Sequence, residues 1–169
     1  MPTRLALAPR VVFAAVFAVV VGVAMTDASH IGAVQDTNPR YGKWRLKPSD
    51  PAGPPSTNVM VYAPHNGTGM KITINRLEAD GTLTEQWGYT TMFDGKEEAM
   101  TGSRSRDVAS VRMLSDRVAE ITYKREGRIT QILTNVISPD FQTLGIIYMT
   151  LDAEGSTSRV TFATYERME

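Results

Sequence analysis

The chain has 169 residues, with 18 basic and 18 acidic side chains, a formal charge of zero and no cysteine. The absence of thiols excludes disulfides, iron–sulfur clusters, zinc ribbons and cysteine nucleophiles. The balanced charge argues against a dedicated nucleic-acid-binding protein. A chain of this length suits one domain and leaves little room for two.

The N-terminus, residues 1–28, is predicted to be a secretory signal peptide. Two arginines and no acid lie in its first ten residues, and residues 11–25 are all apolar or glycine. This apolar run is shorter than the about 20 residues that cross a membrane as a helix, and small residues follow it, as at a cleavage site. Cleavage after Ala24 or after Ala28 fits equally well. We therefore expect a periplasmic or extracellular protein with no transmembrane anchor after cleavage.

The rest of the chain is predicted to be a flexible lead-in at residues 29–40 and a single domain at residues 41–168. Residues 48–57 contain four prolines, and proline neither donates to a sheet nor continues a helix, so an extended loop is expected there. Beyond the loop, short runs rich in Thr, Val, Ile and Tyr alternate with turn residues such as Asp80-Gly81. These runs predict ten strands, at 42–46, 58–63, 70–78, 83–93, 97–101, 108–114, 118–124, 128–137, 141–151 and 158–167.

Ten strands joined by short connections predict an all-β antiparallel meander. A twisted sheet of this width rarely stays open and flat, and closure removes the edges that recruit other chains. The sequence therefore favours about ten strands that close into a β-barrel, or a sandwich flattened from one.

The first strand carries Gly42-Lys43-Trp44, which resembles the Gly-x-Trp signature of the calycins, the lipocalins and fatty-acid-binding proteins. Three later motifs are similar to a fatty-acid-binding barrel: Phe93-Asp94-Gly95-Lys96, Ile121-Thr122-Tyr123-Lys124 and Tyr165-Glu166-Arg167. The chain also resembles a group of exported bacterial lipocalin-like proteins of unassigned function. The resemblance implies a calycin-like β-barrel in which Gly42 and Trp44 serve barrel closure, with Trp44 at its base.

The chain departs from the fatty-acid-binding pattern in two places. That family inserts a helix–turn–helix lid after the first strand, where this chain has its Pro-rich loop. The family also holds a ligand carboxylate with an Arg-x-Tyr motif on the last strand. Tyr165 matches the tyrosine, whereas Ala163 stands at the arginine's place.

Aromatic side chains are the candidates for ligand contact inside the barrel. The predicted ligand-binding residues are Trp87, Tyr89, Tyr123, Tyr148 and Tyr165, with Phe162 as a further candidate. The alternative is that these rings simply fill the interior. Strict alternation also places Glu85 on the face of Trp87. The sequence does not decide which face of the last strand points inward. The resemblance points Tyr165 inward, whereas apolar patterning would bury Val160 and Phe162.

No catalytic or metal-binding pattern stands out in the sequence. The chain has two histidines, His30 and His65, and nothing places a serine and a carboxylate beside either of them. Glu97 and Glu98 are adjacent on a predicted strand and therefore point to opposite faces. Asp152 and Glu154 alone do not supply the six or more oxygens of a calcium site. We predict no enzyme activity, no cofactor and no metal.

Four basic residues and no acid lie in the segment from residue 40 to residue 47: Arg40, Lys43, Arg45 and Lys47. They predict a weak contact with an anionic surface, with a solvated exterior as the alternative. The sequence thus predicts an exported, lipocalin-like protein that binds a small apolar or amphipathic ligand in a barrel cavity. The alternative is a non-enzymatic envelope structural or interaction protein with a filled barrel.

Overall fold

The computed structural model describes residues 38–169. The predicted signal peptide, residues 1–28, and residues 29–37 of the predicted lead-in lie outside this range. Residues 38–40 form a turn in which the Tyr41 backbone N–H donates to the Asn38 carbonyl at 2.9 Å, so the end of the predicted lead-in is part of the folded unit. Within residues 38–169, no helix is long and apolar enough to cross a membrane.

Ten strands follow one another along the chain, which confirms the predicted all-β fold. Their bounds are β1 Gly42–Leu46, β2 Asn58–His65, β3 Gly69–Leu77, β4 Leu83–Thr91, β5 Asp94–Ala99, β6 Val108–Ser115, β7 Val118–Arg125, β8 Arg128–Ile137, β9 Thr143–Leu151 and β10 Thr157–Arg167. The turn between β4 and β5 falls at residues 92–93, before the predicted Asp94-Gly95 turn. That pair begins β5, and the register of β5 against β6 then shifts between Asp94 and Glu97.

All ten strands belong to one antiparallel sheet, with the spatial order β4-β3-β2-β1-β10-β9-β8-β7-β6-β5. Each strand pairs with its neighbour in sequence, except that β4 and β5 do not pair as strands and β1 pairs with β10. The predicted antiparallel meander is confirmed, and its calycin-like architecture follows from the strand count and the β1–β10 pairing. A single sheet is expected for a barrel and for a sandwich flattened from one, and no ladder joins its end strands β4 and β5.

The sheet curves strongly enough for strands that are far apart in its order to touch. The Asn135 amide on β8 donates to the Tyr62 hydroxyl on β2 at 2.9 Å, and the rings of Tyr89 on β4 and Tyr123 on β7 lie 5.9 Å apart. β4 and the segment that follows β5 meet at one bridge, where Gly88 and Thr101 exchange backbone hydrogen bonds of 3.0 and 2.9 Å. The ladder is otherwise interrupted between β4 and β5, so the barrel has a seam there.

The up-and-down topology gives the barrel two different ends. The Trp44 end holds the start of β1 and the connections β2–β3, β4–β5, β6–β7 and β8–β9. The Arg106 end holds the connections β1–β2, β3–β4, β5–β6, β7–β8 and β9–β10, among them the Pro-rich loop. One apolar core lies between the two ends and includes Trp44, Tyr89, Ile121, Leu144 and Tyr165.

Trp44 packs at its end of the barrel with no exposed surface. Its indole Nε1–H donates to the Arg40 carbonyl at 2.9 Å. The Arg167 guanidinium lies 4.2 Å from the centre of the indole ring and donates to the carbonyls of Tyr41 and Phe141 at 2.7 and 2.8 Å. A cation over the ring face and a bonded indole N–H hold the tryptophan in one orientation.

The glycine of Gly42-Lys43-Trp44 is required by two features of its position. Gly42 has φ +136°, a conformation that residues with a Cβ rarely adopt. A Cβ added there would also lie 2.6 Å from Nη1 of Arg167. The glycine therefore lets Arg167 approach the turn before β1 and reach the Trp44 ring.

Two predicted faces are settled by the packing. The register of β3 against β4 shifts so that Ile74 pairs with Trp87 and Asn75 pairs with Glu85. The bulge reverses the alternation, and Glu85 lies outside, 3.6 Å from Lys71. The prediction that Glu85 shares the face of Trp87 is therefore wrong.

On β10, Tyr165 is buried and Ala163 packs against the core, whereas Phe162 is 75% exposed. Apolar patterning alone predicts that the opposite face of β10 is buried, because Val160 and Phe162 are both apolar. Phe162 therefore lies on the outer surface and is not part of the interior.

Candidate functional site

A cavity of about 210 Å³ lies inside the barrel. All five predicted ligand-binding residues line it: Trp87, Tyr89, Tyr123, Tyr148 and Tyr165. They come from β4, β7, β9 and β10, so the curvature of the sheet gathers side chains that are far apart in sequence. Aliphatic side chains of β2, β3, β7, β8 and β9 complete the wall.

Tyr123 is the centre of the aromatic wall. Its ring meets Trp87 edge to face, with 6.1 Å between ring centres and 90° between planes, and meets Tyr89 at 5.9 Å and 81°. The Tyr89 and Tyr123 hydroxyl oxygens lie 3.4 Å apart. Edge-to-face packing stabilises each ring beyond its buried area, so this wall presents fixed ring faces and hydroxyls to the cavity.

Arg106 lies in the β5–β6 connection and also lines the cavity. Its guanidinium is 4.6 Å from the centre of the Tyr123 ring and 5.3 Å from that of Trp87. It donates to Oε1 of Gln131 at 3.0 Å. Sequence reasoning missed this residue because it belongs to a loop, where alternation says nothing about direction. Its position in a basic stretch between two strands was the one available signal.

Two asparagines provide the polar part of the wall. Oδ1 of Asn58 and Oδ1 of Asn135 are buried, and neither has a hydrogen-bond partner among residues 38–169. Buried amide oxygens are usually paired, since leaving one unpaired costs about 1–3 kcal/mol. Each of these oxygens can accept a hydrogen bond from the hydroxyl or amine of a ligand. Neither asparagine stood out in the sequence, because asparagine in a strand-like run carries no pattern of its own.

The cavity tyrosines are neutral donors at ordinary pH. Burial raises the pKa of Tyr123 to about 12 against opposing effects of Tyr89 and Arg106. Burial likewise raises the pKa values of Tyr62, Tyr89 and Tyr165, with further contributions from neighbouring tyrosines. These phenols therefore remain protonated and face the cavity as hydroxyl groups, which donate and accept hydrogen bonds.

Carboxylate and histidine side chains lie outside the cavity lining that residues 38–169 form. No Asp or Glu lines the cavity, and within residues 38–169 no cluster of three or more His, Asp or Glu side chains is close enough to hold a metal ion. His65 lies at the end of β2, where its ring contacts the Asn66 amide at 3.0 Å, outside the cavity lining. The described lining consists of aromatic rings, hydroxyls, aliphatic side chains, two amides and one arginine.

The predicted anionic-surface contact needs correction at Arg40. Its side chain is 2% exposed, because the turn at residues 38–40 directs it into the barrel and not to the surface. Lys47 is also 2.7 Å from Glu166 and so partly neutralised. Lys43 and Lys47 are exposed and Arg45 is half-buried with its Nε buried, so the anionic-surface contact stays a prediction for these three residues.

No protein-family model matches this chain, and no curated protein matches it. Solved structures that are similar to it include the fluorescent protein UnaG, wild type, and a point mutant of that protein. Each is 15% identical, with a TM-score of 0.49, and the match covers 76% of this chain and 96% of the other chain.

Proposed function

We propose that this chain is an exported, non-enzymatic protein that binds one small amphipathic molecule inside its barrel. The observation that carries the proposal is the cavity of about 210 Å³, whose wall combines Trp87, Tyr123 and Arg106. Ligand sites are typically apolar and aromatic with a few polar anchors, and this wall has that composition.

The dimensions of the cavity favour a compact ligand. Its volume lies below the roughly 300–1,000 Å³ of pockets for drug-sized molecules. The rings accept flat or aliphatic groups, while the tyrosine hydroxyls and the unpaired oxygens of Asn58 and Asn135 hydrogen-bond polar ones. Small amphipathic molecules combine both kinds of group.

Native mass spectrometry of the protein purified from the cells that make it tests this proposal. We expect a bound molecule that is released on unfolding. Ile146 lines the cavity and Ile147 is its outward neighbour on β9, so they offer a matched pair. Ile146→Phe should abolish the bound mass and Ile147→Phe should keep it. A wild-type protein with no bound molecule would contradict the proposal.

The two tryptophans of the chain provide a second test. Trp87 lines the cavity, whereas Trp44 lies at the other end of the barrel. Titration with octanol should change the emission of Trp44→Phe, in which Trp87 is the remaining tryptophan, and leave that of Trp87→Phe unchanged. Equal changes in both variants would place binding outside the cavity.

The exported location rests on the N-terminal pattern of the sequence. We expect the protein in the periplasm or medium, with an N-terminus at Met25 or Ser29 as measured by intact mass. An unprocessed chain retained in the cytoplasm would overturn this part of the proposal.

An interaction role is the second candidate, and one observation favours it. The outer face of β9 and β10 exposes Phe162, Val160 and Ile147 together, with Phe162 opposite Ile147 in the register. An apolar outer face of this kind marks contact surfaces in many soluble proteins. Phe162→Ser should abolish a partner interaction and leave ligand binding intact, so one variant separates the two functions.

A further inference from the structure

A buried positive charge lies at the Trp44 end of the barrel, away from Arg106. The Arg40 side chain is 2% exposed. Its Nε, Nη1 and Nη2 atoms are all buried, and none has a hydrogen-bond partner among residues 38–169. Arginine presents five N–H donors and keeps its charge in proteins.

Among residues 38–169, no counter-charge lies beside Arg40. It lines a space of about 20 Å³ together with apolar side chains and four polar ones, Tyr62, Tyr89, Thr91 and Asn135, and none of the described residues that line this space is Asp or Glu. Burial lowers the pKa of the Arg40 guanidinium, and the nearby Tyr62 phenol opposes that shift. Burying a cation without a partner is strongly unfavourable, so the position is one that an anion stabilises.

The hydrogen bond that holds the Trp44 indole does not involve the Arg40 side chain. The Trp44 indole bonds the Arg40 backbone carbonyl and not its side chain. A residue with an apolar side chain at position 40 would keep that hydrogen bond and remove the buried charge. Closure of the Trp44 end therefore does not explain why a guanidinium is buried at this position.

The space beside Arg40 and the larger cavity share part of their walls. Tyr62, Ile72, Tyr89, Ile121 and Asn135 line both. A volume of about 20 Å³ holds one or two water-sized atoms, each needing roughly 10–15 Å³, which matches the two oxygens of a carboxylate. The Tyr62 oxygen accepts from Asn135, so its own proton is free to donate toward the same space.

From this arrangement we infer that Arg40 binds the carboxylate of the ligand, and that the ligand is a compact monocarboxylate whose apolar body lies in the larger cavity. The inference rests on the proposed function and names the chemical class of its ligand. Arg40 precedes β1, so this anchor is on a different element from β10, where Ala163 leaves no cation.

Calorimetric titration with octanoate and with its uncharged analogue octanol tests the inference. Wild-type protein should bind octanoate about tenfold or more tightly than octanol, the usual gain from hydrogen bonds to a charged group. Arg40→Met should remove this preference and keep octanol binding. Arg159→Met, the same change at an exposed arginine of β10, is the matched control and should keep the preference.

Thermal melting of the ligand-free proteins gives a second measurement. Arg40→Met should melt at a higher temperature than wild type, because it removes an unpaired buried charge, and octanoate should raise the melting temperature of wild type only. A lower melting temperature for ligand-free Arg40→Met would show that the side chain is structurally satisfied and would overturn the inference.

The outcomes separate this inference from the proposed function. Equal binding of octanoate and octanol by wild type overturns the role of Arg40 and leaves a ligand-binding cavity in place. An octanoate preference that survives in Arg40→Met also overturns it. Binding of neither compound by wild type overturns both.

Discussion

Each end of the barrel places an arginine on a tryptophan, yet the two pairs differ in almost every other respect. At one end Arg167 lies 4.2 Å from the Trp44 ring; at the other Arg106 lies 5.3 Å from the Trp87 ring. Trp44 has no exposed surface, whereas Trp87 is only partly buried. The same pair of residue types therefore closes one end and lines a cavity at the other.

The difference lies in what holds each arginine. Arg167 donates to three backbone carbonyls, those of Pro39, Tyr41 and Phe141. Arg106 donates to one side chain, Gln131. The turns that contain these carbonyls are held by hydrogen bonds from Tyr41 to Asn38 and from Phe141 to Ser138, while a side-chain partner rotates. Arg167 is therefore part of the framework, and we expect Arg106 to exchange Gln131 for a ligand.

Truncation of the two tryptophans should give the largest difference in stability between the two ends of the barrel. Trp44→Ala should lower the free energy of unfolding by about 3–5 kcal/mol, as large core truncations do. Trp87→Ala should cost about 1–2 kcal/mol, because less of its surface is buried. Urea denaturation of both variants measures this. A near-neutral effect of Trp44→Ala would contradict its role in closure.

Removal of the two arginines should give the next largest contrast. Arg167→Met loses its charged hydrogen bonds and its contact with Trp44, and should cost roughly 2–3 kcal/mol. Arg106→Met should change the free energy of unfolding by about 0–1 kcal/mol and weaken ligand binding. Denaturation and ligand titration of the same samples separate the two roles; similar stability losses in both variants would refute the contrast.

Gly42→Ala should affect the Trp44 end through Arg167. The added Cβ meets Nη1 of Arg167 and imposes an unfavourable φ, so we expect a loss of about 1–3 kcal/mol. In the background of Arg167→Met the clash disappears and a smaller loss from φ remains. Equal losses in both backgrounds would show that Arg167 does not explain this glycine.

The tyrosine wall near Arg106 predicts a specific loss of stability at alkaline pH. Tyr123 has its pKa raised to about 12 by burial, while an unfolded tyrosine has a pKa of about 10. Its contribution is complete below about pH 10, because the side chain is protonated in both states. Above that pH the unfolded chain ionises first, so Tyr123 alone lowers the stability by up to about 1.4 kcal/mol per pH unit toward pH 12, in addition to the losses from Tyr62, Tyr89 and Tyr165.

Chemical denaturation between pH 9 and pH 12 measures this slope. Tyr123→Phe should make the fall of stability with pH less steep, because phenylalanine has no proton to lose. A slope in Tyr123→Phe as steep as in wild type would show that Tyr123 does not contribute.

Much of the fold was predictable because strand signals are local. Turn pairs such as Asp80-Gly81 and Glu126-Gly127 separate alternating runs, and the number and order of the strands follow from them. Trp87, Tyr89 and Tyr123 were predicted to face the interior and all line the cavity. Their purpose in ligand binding stays a prediction, which the tests above address.

Residues outside regular alternation were not predictable in the same way. Glu85 changed sides because one bulge in β4 shifts the alternation. Phe162 is exposed although it is apolar. Arg40 and Arg106 precede or connect strands, and a loop side chain has no period from which its direction follows.

The sequence by itself determined ten strands, their order along the chain and the glycine and tryptophan of the first strand, because those depend on neighbouring residues. Only the tertiary structure decided which side chains surround the cavity and that the Arg40 side chain lies inside the barrel. The physical reason is that curvature brings β2–β4 and β7–β10 around one space, and that depends on contacts such as Asn135 with Tyr62, 73 residues apart. The chain as a whole has a formal charge of zero. Among the described residues, however, the cavity and the space beside Arg40 are lined by two arginines and no acid.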